Sequence, residues 1–313
     1  MGKQRVVVAI GGNSIIDGPE HVSVLDQYRA ICRTAERLAD LVQAGWELAC
    51  THGNGPQVGF MLRRSELARD HVHEIPLDSI DADTQGALGY HIQQALGNAL
   101  RIRDLDDRVA AVVTQVVVDP HDPAFKRPTK PIGRFFSEVE ARAKIAEQGW
   151  NMVHEKGRGW RRVVPSPRPG RIVEEWAIRT LLDAGAVVVG CGGGGIPVVP
   201  TEMGLRGVPA VIDKDLASAQ LALQIGASHL VFSTGVDRVC VDFGGPNERP
   251  LEGLTVDEAK RLLAAGEFPA GSMGPKIQGA IEFLEGGGKL AVVTSPRHLL
   301  AALRGEAGTR IVP

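Results

Sequence analysis

The stretch Arg5 to Ile10, RVVVAI, carries no polar residue after its first position and stops at Gly11-Gly12. A β-branched apolar run without polar alternation predicts a strand covered on both faces, the kind found in parallel sheets. The pattern recurs. Glu47 to Cys50 runs into THGNGPQVG (51–59), and Ala186 to Val189 runs into Cys191 and four glycines. His229 to Ser233, Arg238 to Asp242 and Leu290 to Thr294 read as further strands, as does Val109 to Val118. Between them lie stretches of helical spacing. Asp26 to Ala44 puts Ile31, Ala35, Leu38 and Val42 on one face; a helix follows the 51–59 loop through Phe60 and Leu67. Asp81 to Leu100 reads as a helix with Asp81 at its N-cap. Strands alternating with helices predict parallel pairing with crossover helices on both faces. In such a sheet ligands bind beyond the carboxyl ends of the strands, which is where the glycine loops fall.

Several function classes drop out on bulk grounds. A net charge of −2 offers no bulk attraction to nucleic acid or anionic lipid. No segment approaches the roughly 18 apolar residues of a membrane span, and Val6 to Ile10 is too short for a signal core. Cys32, Cys50, Cys191 and Cys240 lie far apart, which suits a reducing, cytoplasmic setting.

One region departs from the alternation. Asp119 to Pro167 is rich in proline and holds a predicted helix over Ser137 to Gln148 and the basic stretch Lys156 to Arg162. About fifty residues bury little core alone. The expectation is one domain over 1–313 with a small lobe inserted at approximately 120–165.

Glycine is enriched, 38 of 313 residues, and it clusters at strand ends rather than in linkers. Consecutive glycines allow close backbone approach, so amides can converge on an anion, and a following helix adds its dipole. Each cluster alone is equally a tight turn. Three such loops, at Gly11-Gly12-Asn13, Gly53-Asn54-Gly55 and Gly192 to Gly195, together favour phosphate binding. Two familiar phosphate motifs are excluded. Gly288-Lys289 is followed by Leu290, so no Walker loop exists there, and Gly53-x-Gly55-x-x-x-Gly59 is one residue too long for the dinucleotide fingerprint. A Rossmann dehydrogenase is therefore a weak alternative.

Phosphoryl transfer needs cations around the moving group more than it needs acid–base residues. Lys214 stands between Asp213 and Asp215 where an apolar run meets a helix start. Asp213 would cap that helix; Asp215 would either hold lysine ammonium groups or reach a metal. Gly274-Pro275-Lys276 resembles a helix opening, and a lysine there opposes the helix dipole unless an anion sits beside it. Pro128 and Pro131 stiffen the chain around Lys130.

Taken in order, GGN (11–13), HGNGPQVG (52–59), PTKPIG (128–133), GRGWRRVVPSP (157–167), GGGGIPV (192–198), IDKDLA (212–217) and GSMGPK (271–276) resemble the signatures of the carbamate kinase family. The resemblance spans nearly the whole chain. It implies the amino acid kinase fold, a three-layer αβα sandwich with an open, mainly parallel sheet, a protruding lobe and a homodimer. It also implies reversible phosphoryl transfer between ATP and carbamate, with Mg²⁺ accompanying ATP or ADP, often run toward ATP at the end of arginine breakdown. By that resemblance Gly11, Gly12, Asn13, Gly53, Asn54 and Gly55 line the carbamate and phosphoryl site. Lys130, Lys214 and Lys276 neutralise phosphate charge, with Asp215 orienting the lysines. The nucleotide lies toward Gly192, Gly193, Gly194, Asp213, Thr234, Val236, Asp237 and Met273. No protein ligand set for a metal is expected.

Two positions depart from the family pattern, Arg127 before PTKPIG and Arg134 after it. Arg134 would either favour a larger acid or be a solvated surface charge, the second being preferred. His71 and His73 lack a third ligand in register and read as surface residues; Asp81 and Asp83 read as helix-capping residues rather than magnesium ligands. The alternatives are a kinase of another small carboxylic acid in the same fold family and a non-catalytic nucleotide or carbamoyl-phosphate sensor. The block TKPIG argues against the first, and the presence of all three lysines argues against the second.

Overall fold

The computed structural model describes residues 4–16, 18 and 20–313, and for Asn13 the backbone only. The chain runs β1 (Arg5–Ile10), α1 (Val24–Gln43), β2 (Glu47–His52), α2 (Gly55–Ala68) and α3 (Leu77–Ile102). Two short strands follow, β3 (Val109–Ala111) and β4 (Gln115–Val117). Next come β5 (Lys130–Phe136), α4 (Glu138–Gln148), β6 (Asn151–Glu155) and β7 (Gly159–Val164). The chain continues with α5 (Glu175–Asp183), β8 (Val187–Val189), β9 (Ile196–Thr201), β10 (Gly204–Gly207) and α6 (Lys214–Gln224). Then follow β11 (His229–Ser233), β12 (Cys240–Val241), β13 (Arg249–Pro250), β14 (Gly253–Thr255) and α7 (Val256–Ala264). It closes with α8 (Met273–Glu285), β15 (Leu290–Thr294), α9 (Leu299–Leu303) and β16 (Thr309–Val312).

Eight strands form the central sheet in the order β14-β16-β15-β11-β1-β2-β8-β3, and only the β15–β16 pair is antiparallel. Alternate side chains of β1 divide between two cores, as strand geometry requires. Val6, Val8 and Ile10 pack with Ile31 and Leu38 of α1 and Leu88 and Ile92 of α3. Val7 and Ala9 share the other core with Leu182 of α5, Leu221 of α6 and Phe283 of α8. The result is three layers, αβα. Phe232 and Phe283 are fully buried, and truncating either to alanine should cost about 3–5 kcal/mol. The middle strands end level: Ile10 lies opposite His52 and Ser233, and Ser233 lies opposite Thr294.

Three elements differ from the sequence expectation. Helix α3 begins at Leu77 with Pro76 at its N-cap, because buried Leu77 and Ile80 extend the apolar face upstream. Asp81 is therefore an interior, buried residue and caps nothing. Val109 to Val118 is two strands in two sheets: β3 closes the central sheet, whereas β4 pairs with β9 in a three-stranded sheet of order β10-β9-β4. The chain turns at Thr114, whose Oγ1 donates to Val112 O at 2.7 Å. Arg238 to Asp242 shortens to β12, since Asp242 sits at φ 50°, outside strand geometry.

Strands β5, β7 and β6 form a separate antiparallel sheet. Helix α4 opens on a capping box, Ser137 with Glu140. The basic stretch packs here on aromatic rings: Arg158 lies 4.5 Å over Phe135 and Arg162 4.3 Å over Trp150. A small core joins this sheet to the rest through Val58, Ile80, Ile132 and Val164. Among the described residues no helix is long and apolar enough to cross a membrane.

Candidate active site

Asp213 caps α6, its Oδ1 accepting from Asp215 N at 2.9 Å. That start places Lys214 and Asp215 in the first helical turn. Lys276 lies in the first turn of α8, which packs on α6. Asp215 joins the two helices: Oδ1 accepts from Lys214 Nζ at 2.6 Å and Oδ2 from Lys276 Nζ at 2.9 Å. The helices meet closely because Gly279 faces the α6 backbone; a Cβ there would stand 3.0 Å from Asp215 O. Burial pushes Asp215 up, but the two ammonium groups outweigh it and hold the carboxylate below its usual range. Burial pushes Lys214 below the ordinary lysine value, Lys276 adds to that, and Asp215 opposes it. Two cations thus surround one anion, leaving net positive charge for a ligand.

The loops after β1 and β2 reach the same place. A methyl group built on Gly53 would lie 3.6 Å from Lys214 Cδ and 3.7 Å from Gly12 N. One part of the expected cradle differs. The Gly53 N–H donates to Ile10 O at 3.1 Å, so it belongs to the sheet and is not offered to a ligand. In the glycine turn after β8, Gly194 N donates to Cys191 O and Gly195 N to Gly192 O, both at 3.0 Å. The first turn of α2 stays outside such ladders: Gly55 and Gln57 have no intrahelical acceptor and Pro56 has no N–H. Gly11 stands at the N-cap of a single 3-10 turn over Gly12–Ser14, and the side chain of Asn13 lies outside the described residues.

A buried polar face on α3 supports these loops, and sequence reasoning missed it. Gln85 Nε2 donates to Gly192 O at 3.0 Å and Thr114 O at 3.1 Å, while its Oε1 accepts from Thr114 N at 2.8 Å. Asn54 Nδ2 donates to Thr84 Oγ1 at 2.9 Å and lies 3.4 Å from Asp81 Oδ1. The Asn54 side chain therefore points into the protein. His52 Nδ1 lies 3.1 Å from Gly53 O; burial lowers its pKa to about 4, the Gly53 carbonyl opposing and Lys214 adding. The available signal was spacing: Asp81, Thr84, Gln85 and Leu88 fall at i, i+3, i+4 and i+7, a core-facing stripe carrying polar residues.

Lys130, first residue of β5, pairs with Asp213 Oδ2 at 2.7 Å and so comes within one residue of Lys214. Thr234 to Asp237 follow β11, with Thr234 N donating to Thr294 O at 2.8 Å. Asp237, expected toward the nucleotide, pairs with Arg297 at 2.6 Å. Val236 and Met273 are half-buried, Met273 packing against the core. Arg134 is a half-exposed surface charge, as preferred, and it also has partners of its own. Its guanidinium lies 3.9 Å over the Phe136 ring and pairs with Glu140 at 2.9 Å, because an aromatic face and a carboxylate both stand within reach on its own sheet and helix. Arg127, His71 and His73 are exposed. Among the described residues no group of three or more His, Cys, Asp or Glu is arranged to hold a metal ion.

The sequence model of the amino acid kinase family matches residues 4–295. The chain belongs to the amino acid kinase family. Within it, the chain is 49% identical to the carbamate kinase-like protein YahI of Escherichia coli, over 99% of both chains. It is 44% identical to the carbamate kinase of Thermococcus kodakarensis, again over 99% of both. Among solved structures, carbamate kinase from Giardia lamblia bound to AMP-PNP superposes with a TM-score of 0.93 at 40% identity, covering 99% of this chain and 98% of that one. The amino acid kinase fold thus accounts for the three-layer arrangement around a mainly parallel sheet.

Proposed function

We propose that this protein is a carbamate kinase that transfers a phosphoryl group reversibly between ATP and carbamate, working toward ATP. The observation that carries this reading is Asp215 held between Lys214 and Lys276 at the level where the glycine loops end. In the ATP-forming direction a β-phosphate oxygen of ADP attacks the phosphorus of carbamoyl phosphate. The P–O bond to carbamate breaks, and carbamate leaves with the electron pair. No proton moves at the reacting oxygens, which agrees with a site built from cations and amides. Lys214 and Lys276 neutralise the transferring group, Asp215 fixes their ammonium positions, and Lys130 adds a third cation. The Gly11-Gly12 turn and the first turn of α2 receive phosphate and carbamate oxygens. The nucleotide is assigned to Gly192 to Gly194, Thr234, Val236 and Met273.

Magnesium fits as part of the nucleotide. Asp215 is taken by two lysines and Asp213 by Lys130 and its own helix, so neither carboxylate is free to anchor a resident ion. We read β5 to β7 with α4 as a lobe that delivers Lys130, inserted in a single domain. A homodimer is supported by the open edge of β3, where exposed Tyr90 and Val113 line a common cavity of 190 Å³. A cytoplasmic setting follows from the nucleotide requirement.

The deciding assay is ATP formation from ADP and carbamoyl phosphate with Mg²⁺, alongside Lys214→Ala. Turnover abolished in a folded variant supports the reading. Failure of the parent chain to form ATP, with nucleotide still bound, would send the assignment to another acid. Arg134 does not favour that second reading, since Glu140 and Phe136 already occupy its guanidinium.

A further inference from the structure

Asn54 is the N-cap residue of α2, and asparagine is among the side chains best suited to capping. It makes no cap hydrogen bond. Its amide is turned instead toward α3, donating to Thr84 Oγ1 at 2.9 Å with Asp81 Oδ1 at 3.4 Å. The Thr84 hydroxyl donates to Asp81 O at 2.9 Å, so its proton is committed and its lone pairs face Asn54. Asn54 and Asp81 are 4% and 2% exposed. Gly193 closes the remaining side; a Cβ on it would stand 2.1 Å from Asn54 Nδ2.

We propose that Asp81 and Thr84 are positioning residues of the phosphoryl site, holding the Asn54 amide away from its capping position so that the first-turn N–H groups of α2 stay open to the phosphoryl group. This rests on the phosphotransfer reading above. A capping Asn54 would accept from an N–H of the second or third helical position. The second is Pro56, so only Gln57 N remains, and a self-cap would consume one of the few amides the cradle has. Turned inward, Asn54 stiffens the loop without competing with the ligand.

The chemistry of Asp81 suits this role. Its Oδ2 is buried and has no hydrogen-bond partner among the described residues. An ionised carboxylate there would lack solvation and would repel a phosphate nearby. Burial raises the group to about 8, with the Asn54 hydrogen bond opposing and Asp78, one turn earlier on α3, adding. Asn54, which faces it from the start of α2, carries no charge, and neither does the Gly193 backbone packed against Asn54. Burial thus favours the neutral acid, whose Oδ1 receives the Asn54 amide.

Kinetics with carbamoyl phosphate and ADP test the assignment on Asp81→Asn, Thr84→Val and the double variant Asp81→Ala/Thr84→Val. The double variant should raise KM for carbamoyl phosphate about tenfold, the scale of one hydrogen bond to a charged group. KM for ADP should stay within about twofold, since uniform damage would move both. Asp81→Asn, a neutral isostere, should keep the parent values. Thr84→Val alone serves if the double variant does not fold. A crystal structure of the variant gives a readout independent of the substrate: Asn54 Oδ1 should now accept from Gln57 N. Equal shifts in both KM values, an Asp81→Asn variant as damaged as the alanine, or an unmoved Asn54 would overturn the proposal. If the parent chain does not use carbamoyl phosphate at all, the Asn54 rotamer still decides the positioning claim separately.

Discussion

Lys130 Nζ reaches from β5 to Asp213 Oδ2, 2.7 Å away, and so ties the three-stranded sheet to the first turn of α6. The pair is partly exposed and contributes at most about 1 kcal/mol to folding. Its value lies in where it leaves the ammonium, on the carboxylate that precedes Lys214 in the chain. Lys130→Ala should lower kcat/KM for carbamoyl phosphate about 100-fold while the melting temperature stays within about 2 °C. Steady-state kinetics and calorimetry on one preparation check both halves. An unchanged kcat/KM would remove Lys130 from the site.

Asp215→Asn keeps the shape but removes the charge that holds two ammonium groups. Both lysines then lose the carboxylate between them, and only Asp213, already paired with Lys130, still favours the charged form of Lys214, so burial drives Lys214 further toward its neutral form. We expect kcat to fall about 100- to 1000-fold, the range seen when a pre-organised charge is lost from a transition state. Nucleotide affinity measured by calorimetry should change far less. A fall confined to KM would mean that Asp215 serves binding and not turnover.

The depressed value of Lys214 gives a pH signature. Its ammonium must be protonated to act, and burial lets it lose its proton below the ordinary lysine value of about 10.4. Turnover should therefore decline as pH rises through that lowered value. Lys214→Arg, whose guanidinium stays charged, should be slower but lack this alkaline limb. Persistence of the limb in the arginine variant would assign it to another group.

The stability of the parent chain should carry the mark of Asp81. Its folded pKa, about 8, lies above the unfolded value of about 3.9. The folded chain therefore binds the extra proton, and this contribution is full at acid pH and is lost as pH rises through about 8. Asp81→Asn does not titrate. Its melting temperature should pull ahead of the parent between pH 5 and pH 8, by at least about 3 °C at the upper end. Parallel melting curves across that range would mean that Asp81 is ionised in the folded chain.

Much of this architecture is legible in the sequence because strands covered on both faces leave a plain mark. RVVVAI, HLVFS and LAVVT read as strands and are β1, β11 and β15. Asp213 reads as a helix cap and is one. Val109 to Val118 misleads for the same reason that RVVVAI does not. Apolar composition records burial, whereas the turn at Thr114 depends on a hydroxyl and on Gln85 from a distant helix. The lysine cluster is legible only in part. Lys214 with Asp215 stands out locally, but their meeting with Lys276 requires α6 and α8 to pack at Gly279. The inward turn of Asn54 has no local signal at all, since asparagine at a helix start ordinarily announces a cap. Arg134 reads as a surface charge and is half-exposed; its partners, Phe136 and Glu140, converge on it only once the strand and helix are in place.

The level ending of β1, β2, β11 and β15 also sets how this chain can change over generations. Each residue added to or removed from a strand moves its loop by about 3.3 Å and exchanges the faces of every side chain beyond it. A single insertion in β1 would therefore carry Gly12 away from Gly53 and Lys214 and turn Val7 toward the wrong helices. Length variation in descendants of this gene should accumulate on the opposite rim, where helices return to the strands. The rim that carries the glycines should vary by substitution alone.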